Sequence, residues 1–342
     1  RHNAFFEEEN YIVLNERLEQ LHIDEGRSDI INLIYPEDLN KQFSESILVK
    51  DLIDQMLQKQ DKVFIVGFTT VWLDIPNSKV VILGPDPQIA AKFDDKAEHI
   101  RTFRKLGFEI NEAHIYKDFA DLRDNHTQYP CFVSATYSSG GIESTIIESM
   151  ESLDVYYDNL RPINQAHPFI AAKLLDNIVL APNTSALVAG ENQTILTLLS
   201  DQILRGNNYM GNIYPSQASE EMKQKMEDMT KKMGDYLSTQ GFRGMFGMDF
   251  LITSNGDCLP VDINPRHQGG YFCNVMTSTI DLVDLELRVA LGEDIALPKA
   301  EDFDVDYAWA HSKLSPFKSN VRIVEDIRRG NATEPFNKIG SN

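Results

Sequence analysis

Two aspartates and an asparagine stand at the spacing that a cation site on paired strands requires. They lie in Gly244-Met-Phe-Gly-Met-Asp-Phe-Leu-Ile-Thr-Ser-Asn-Gly-Asp-Cys-Leu-Pro-Val-Asp-Ile-Asn-Pro-Arg-His-Gln-Gly-Gly. Asn255-Gly256, between two β-patterned runs, is a strong hairpin signal. With those two residues as the loop, Ser254 faces Asp257, and counting outward sets Asp249 opposite Asp262 and Gly247 opposite Asn264. Asp249, Asp262 and Asn264 then share one face. Met248, Phe250, Ile252, Leu259, Val261 and Ile263 are expected on the other, apolar face. Carboxylates directly opposed, with Cβ atoms about 5 Å apart, repel each other unless a cation lies between them. Two carboxylates and an amide oxygen with open positions suit Mg²⁺, with Mn²⁺ as a substitute, sharing its shell with phosphate and water. Gly247 is expected to leave the space beside Asn264 open. Arg266, just past Pro265, can offer a planar fork to a phosphoryl or carboxylate group.

Strands and helices elsewhere must carry this hairpin. Lys62-Val-Phe-Ile-Val-Gly-Phe and Lys79-Val-Val-Ile-Leu-Gly-Pro read as buried parallel strands of an open α/β layer, preceded by a helix around Asp51 to Leu57. After Gly84-Pro85-Asp86-Pro87 a helical stretch runs through Asp94-Asp95-Lys96 to Lys105, stopped by Gly107. Pro130 to Thr136 and Ser144 to Ile147 read as a strand pair around the small-residue tip Tyr137-Ser-Ser-Gly-Gly. Ser185 to Val188 and Thr194 to Leu199 are expected as neighbouring antiparallel strands. Met222, Met226, Met229 and Met233 recur at helical spacing, as core packing against a sheet requires. Val305 to His311 reads as an edge strand.

In this order the residues resemble the ATP-grasp superfamily. Gly247-Met-Asp-Phe and Val261-Asp-Ile-Asn-Pro-Arg resemble its two metal-bearing strands, and the likeness runs over roughly residues 80 to 275. The resemblance implies an α/β (α+β) fold. An N-terminal open α/β pre-ATP-grasp domain would occupy residues 1–90 and the ATP-grasp domain 91–342, with a small lid at about 128–172 and a C-terminal antiparallel-sheet lobe at about 173–342. It implies Asp249, Asp262 and Asn264 as metal ligands and Arg266 as the catalytic contact to phosphate. Lys96 would meet ATP phosphates, and the tip Ser138, Ser139, Gly140 and Gly141 would cover them. Lys173, Leu174 and Leu175 would edge the adenine. Where the family carries a lysine on the first lid strand, this chain has Ser134.

The implied reaction is an ATP- and Mg²⁺-dependent ligation. A small carboxylate becomes an acyl phosphate and is joined to an amine, releasing ADP. Carboxyphosphate chemistry of the biotin carboxylase type and ATP binding without turnover are the alternatives. Arg243, His267, Gly269 and Gly270 are candidates for the substrate pocket. The composition sets further limits. A net charge of −20 distributed along 342 residues opposes a phosphate backbone, so no nucleic-acid partner is expected. No stretch has the roughly 20 apolar residues of a membrane span. Cys131, Cys258 and Cys273 show no pairing pattern and no secretory pattern heads the chain, so free thiols and a cytoplasmic location are expected. Size and composition are compatible with a homodimer acting on small molecules.

Overall fold

The computed structural model describes residues 46–305 and 308–312, apart from 68, 72, 74 and 138–142, and the backbone alone of 12–13 and 33–34. The phosphate-covering tip expected at Ser138, Ser139, Gly140 and Gly141 therefore lies outside the described residues. Chain contacts divide the molecule into two bodies, Arg1–Ile82 and Leu83–Asn342.

In the first body β1 (Ile12–Val13) pairs in parallel with β2 (Leu33–Ile34). Helix α1 (Ile47–Leu57) begins at Ser46, whose hydroxyl accepts from the Val49 N–H, and it buries Val49, Leu52 and Ile53 along one stripe. Strands β3 (Val63–Val66) and β4 (Val80–Leu83) form a separate two-stranded sheet. They are less buried than uniform apolar runs imply: Phe64 is 50 % and Val66 54 % exposed. Alternation sends these two side chains to the face opposite Val63.

The second body starts with two helices meeting at a corner. Helix α2 (Pro87–Phe93) has proline at its first position and Asp86 capping the N–H groups of Gln88 and Ile89. Asp94 ends it, and Asp95 caps α3 (Lys96–Lys105). The single stretch expected from after Pro87 to Lys105 is thus two helices that meet at Asp94 and Asp95. Gly107, at φ +70°, closes α3 in the left-handed region that glycine tolerates.

A four-stranded antiparallel sheet follows, built from β5 (Ala113–Tyr116), β6 (Cys131–Ala135), β7 (Ser144–Ile147) and β8 (Phe169–Lys173) in the order β5-β8-β6-β7. Helices α4 (Phe119–Asn125) and α5 (Met150–Asp158) cover one face through Leu122, Leu153, Val133 and Phe169. On the other face Ile170 packs with Ile100 and Ala113. The short helix α6 (Pro162–Gln165) leads into β8.

The largest sheet has β9 (Ile178–Leu180), β10 (Pro182–Gly190), β11 (Gln193–Arg205), β12 (Asn208–Tyr214), β13 (Gly244–Thr253), β14 (Cys258–Asn264) and β15 (Trp309–Ser312). Its order is β14-β13-β10-β11-β12-β15, with β9 added to β13. The expected pairing of the Ser185 and Thr194 runs is present as β10 and β11. The C-terminal edge strand is present in shortened form as β15 on β12. Helix α7 (Glu220–Thr239) lies on one face and buries Met226 and Met233 fully beside Phe246, Met248 and Phe250, so the methionine stripe is core.

The β13–β14 hairpin has the expected register at its functional end, with Asp249 opposite Asp262 and Gly247 opposite Asn264. It reaches that register by another route. The loop has three residues, 254–256: the Thr253 N–H donates to the Asp257 carbonyl, the Gly256 N–H donates to the Thr253 carbonyl, and Gly256 takes φ +88°. Pairing near the tip is therefore one residue off the simple count, and a bulge between Phe250 and Asp249 restores it by leaving Val261 without an opposite partner. Two offsets cancel. As a correction to the expected faces, Cys258 and not Leu259 packs in the cluster under α7, although Leu259 is also buried, and Val261 is 38 % exposed.

Candidate active site

The polar face of the hairpin carries the chemistry. Lys96 Nζ, at the start of α3, donates to Asp262 Oδ2 at 3.0 Å. His99, one turn later, places Nδ1 2.8 Å from Asp262 Oδ1, while its Nε2–H donates to the Phe93 carbonyl at 2.7 Å. Asp249 is held differently: Asn264 Nδ2 donates to its Oδ2 at 3.1 Å and Gln268 Nε2 to its Oδ1 at 3.0 Å. Burial, then the Asp262 charge, pushes the Asp249 carboxyl up to about 7. Burial acts on Asp262 in the same sense, but Lys96 and His99 outweigh it and hold that carboxyl well below the usual range.

Lys96 offsets the Asp262 charge, while burial and Asp262 disfavour a charge on Asp249 that a cation beside it would stabilise. Among the described residues no group of three or more His, Cys, Asp or Glu side chains could hold a metal ion. Two carboxylates and an amide, with further positions left to solvent or phosphate, fit Mg²⁺ rather than a softer metal.

Asp94 joins the cluster without having been expected there. Burial raises its pKa, with Arg266 lowering it and Asp262 raising it. Its position follows from the α2–α3 corner, which puts it one residue before the cap of the Lys96 helix. The only signal in the sequence was its place beside Asp95-Lys96.

Arg266 is half-buried and acts on the charges of both Asp94 and Asp249; its Nη1 also donates to the His267 carbonyl at 3.3 Å. The His267 ring, 4.0 Å from that of Tyr271, directs Nε2–H to Glu286 Oε2 at 2.7 Å on α9 (Leu282–Ala290). Gly269 and Gly270 precede α8 (Tyr271–Thr277). A Cβ at Gly269 would overlap the Tyr209 ring, and one at Gly270 would press on Leu198. The space before Gly247 is not open, as a correction to the sequence reading: a Cβ there would overlap the Gln268 amide, which fills it.

Other candidates lie apart. Lys173 ends β8, on the helix-covered face of the small sheet with Phe169 and Ala171, and lines a cavity of about 300 Å³ with Glu112, His114, His126 and Tyr129. Its N–H donates to the Glu112 carbonyl. Leu174 and Leu175, half-buried, connect β8 to β9 and so join the two sheets. Arg243 is exposed and donates to the Ala189 carbonyl. Five residues of β13 lie between it and Asp249, six steps or roughly 20 Å of strand, so it does not join the cluster. Ser134 is buried between Ser144 and Ile170.

The largest sheet thus presents paired carboxylates and an Asn-Pro-Arg segment to a helix-borne lysine. The family model described as ATP-grasp domain matches residues 94–270, just over half of the chain, and the chain belongs to that family. An uncharacterised protein of Methanocaldococcus jannaschii is 25 % identical over 326 residues, covering 92 % of this chain and 76 % of its own length. The L-propargylglycine–L-glutamate ligase of Streptantibioticus cattleyicolor is 30 % identical over 100 residues, which are 29 % of this chain and 20 % of the ligase. The chain thus spans only part of the ligase it matches. In structure, the biotin carboxylase domain dimer of the Hydrogenobacter thermophilus 2-oxoglutarate carboxylase, in complex with MgADP, ADP and bicarbonate, superposes at a TM-score of 0.69 and 18 % identity. The match covers 88 % of this chain and 68 % of that one. No helix among the described residues is long and apolar enough to cross a membrane.

Proposed function

We propose that this protein is an ATP- and Mg²⁺-dependent ligase that activates a small carboxylate as an acyl phosphate and joins it to an amine. The observation that carries this reading is the facing pair Asp249 and Asp262, flanked by Asn264, Lys96 and Arg266. Lys96 pairs with Asp262, and a Mg²⁺ beside Asp249 would balance the second carboxylate and recruit phosphate oxygens to its open positions. Bound there, the metal would supply neutralising charge to the triphosphate. In this reading Asp249, Asp262 and Asn264 hold the metal, Lys96 and Arg266 face the phosphates, and Leu174 and Leu175 edge the base. The domain division is part of the same proposal, with a pre-ATP-grasp region to residue 90 and a lid at about 128–172.

In the first step a carboxylate oxygen of the substrate attacks the γ-phosphorus and ADP leaves. In the second the amine nitrogen attacks the acyl carbon, losing a proton, and inorganic phosphate leaves. Phosphoryl transfer of this kind asks for positioning and charge stabilisation more than for covalent protein chemistry. The local likeness to an amino-acid ligase supports an amine as acceptor.

The test is ADP release across a panel of amino acids and small acids, with and without amines. Release that requires both a carboxylate and an amine supports the proposal. Release that needs bicarbonate and no amine would replace it with carboxyphosphate chemistry. Tight ATP binding without any release would leave a nucleotide-binding protein.

A further inference from the structure

Beneath the proposed metal site a line of buried amides and hydroxyls crosses three strands, and every link points the same way. Tyr209 O–H donates to Asn212 Oδ1. Asn212 Nδ2 donates to Asn183 Oδ1 at 2.8 Å, and the Ser200 hydroxyl donates to the same oxygen at 2.7 Å. Asn183 Nδ2 donates to Gln268 Oε1 at 3.2 Å, joined there by the Ser185 hydroxyl at 2.9 Å. Gln268 Nε2 then donates to Asp249 Oδ1 at 3.0 Å. Asn183 is 2 % and Gln268 6 % exposed, and Ser200 and Asn212 are fully buried.

An ionised carboxylate, the form that would hold a metal, only accepts, so Asp249 in that form fixes the orientation of Gln268, and Gln268 in turn that of Asn183. No single amide can turn over without leaving a neighbour facing like against like, at the cost of an unsatisfied buried group. Such chains strengthen by mutual polarisation in a low-dielectric setting. The sheet makes room for the last link: at Gly247, beside Asp249 on β13, any side chain would overlap the Gln268 amide.

We infer that Gln268 is a positioning residue for the metal site, the end of a one-way hydrogen-bond chain that aims the Asp249 carboxylate. It rests on the reading of Asp249 as a metal ligand. Groups that orient a ligand in this way change metal affinity by about 10- to 100-fold when removed.

The test is Mn²⁺ binding, followed by electron paramagnetic resonance with a non-hydrolysable ATP analogue present, and the melting temperature in EDTA. Gln268→Met keeps the volume but neither donates nor accepts. It is expected to weaken Mn²⁺ about tenfold or more and to change the fine structure of the bound Mn²⁺ resonance, because the ligand oxygen is no longer aimed. A loss of packing alone would lower the melting temperature and leave that resonance unchanged. Asn183→Ala, two links from the metal, should weaken binding in the same direction by about threefold, and it keeps the test open if Gln268→Met does not fold. A folded Gln268→Met, or failing that a folded Asn183→Ala, that binds Mn²⁺ as wild type does with the same resonance overturns the inference. Asp249→Ala separates the two claims. If it loses Mn²⁺ while Gln268→Met does not, only the positioning role falls; if it keeps Mn²⁺, the metal site itself is wrong.

Discussion

The polar face of the largest sheet and the four-stranded sheet of β5 to β8 are built on opposite terms. On the first, Asp249, Asn264, Gln268, Asn183 and Ser185 are bonded to one another, and Lys96 and His99 close on Asp262. On the second, Ser134 stands where a lysine was expected, and Lys173 turns to the helix-covered face. Charge for a nucleotide is thus concentrated on the large sheet and on α3. The described part of the small sheet contributes shape more than charge, and in the proposed function neutralisation of the phosphates falls to the metal, Lys96 and Arg266.

Changing the hairpin should break that contrast most severely. Asp262→Ala removes the carboxylate that pairs with Lys96 and His99, and ADP release is expected to fall on the order of 10³-fold, since charge stabilisation is the main catalytic term. A loss below tenfold would move the phosphate site elsewhere. Arg266→Lys keeps the charge but not the fork, and a drop of about 10²-fold in kcat/KM for ATP is expected.

Proton competition sharpens the comparison further. The Asp249 carboxyl, raised to about 7, must lose its proton when a cation binds. Apparent Mn²⁺ affinity is therefore expected to rise with pH up to about 7 and to level off above it. The stability sign follows from the same shift. A carboxyl whose pKa is raised by folding holds its proton more tightly in the folded state. Its contribution is fully present below the ordinary carboxylate pKa and is lost as pH rises to about 7. Melting in EDTA should show this fall as pH rises towards 7, and Asp249→Asn should abolish that component. A melting temperature insensitive to this substitution across the window would contradict the assignment. The smallest effect belongs to Arg243, exposed and distant: Arg243→Ala should alter stability by no more than about 0.5 kcal/mol and leave ADP release unchanged.

Much of the site was legible because strands alternate and Asn-Gly marks a turn. Those two rules placed Asp249, Asp262, Asn264 and Gly247 correctly on paired strands. They did so although the loop has one residue more than counted and Val261 bulges, because the two offsets cancel. The faces of Cys258 and Leu259, which lie between the two offsets, were misread for the same reason. Gln268 and Asn183 could not be joined from sequence, since 85 residues separate them and only the β10–β13 pairing brings them together. Asp94 was hidden by a helix boundary that falls between two consecutive aspartates. The turn of Lys173 away from Ile170 and Ala172 depends on which face α4 and α5 cover, which no local pattern announces.

The central claim is that Asp249 and Asp262 together hold the metal that brings ATP to this sheet. Calorimetric titration of a non-hydrolysable ATP analogue, with and without Mg²⁺, into wild type and Asp262→Asn tests it most directly. The account predicts that Mg²⁺ tightens the analogue on wild type by about tenfold or more and scarcely affects the variant. Equal tightening by Mg²⁺ in both proteins would contradict it.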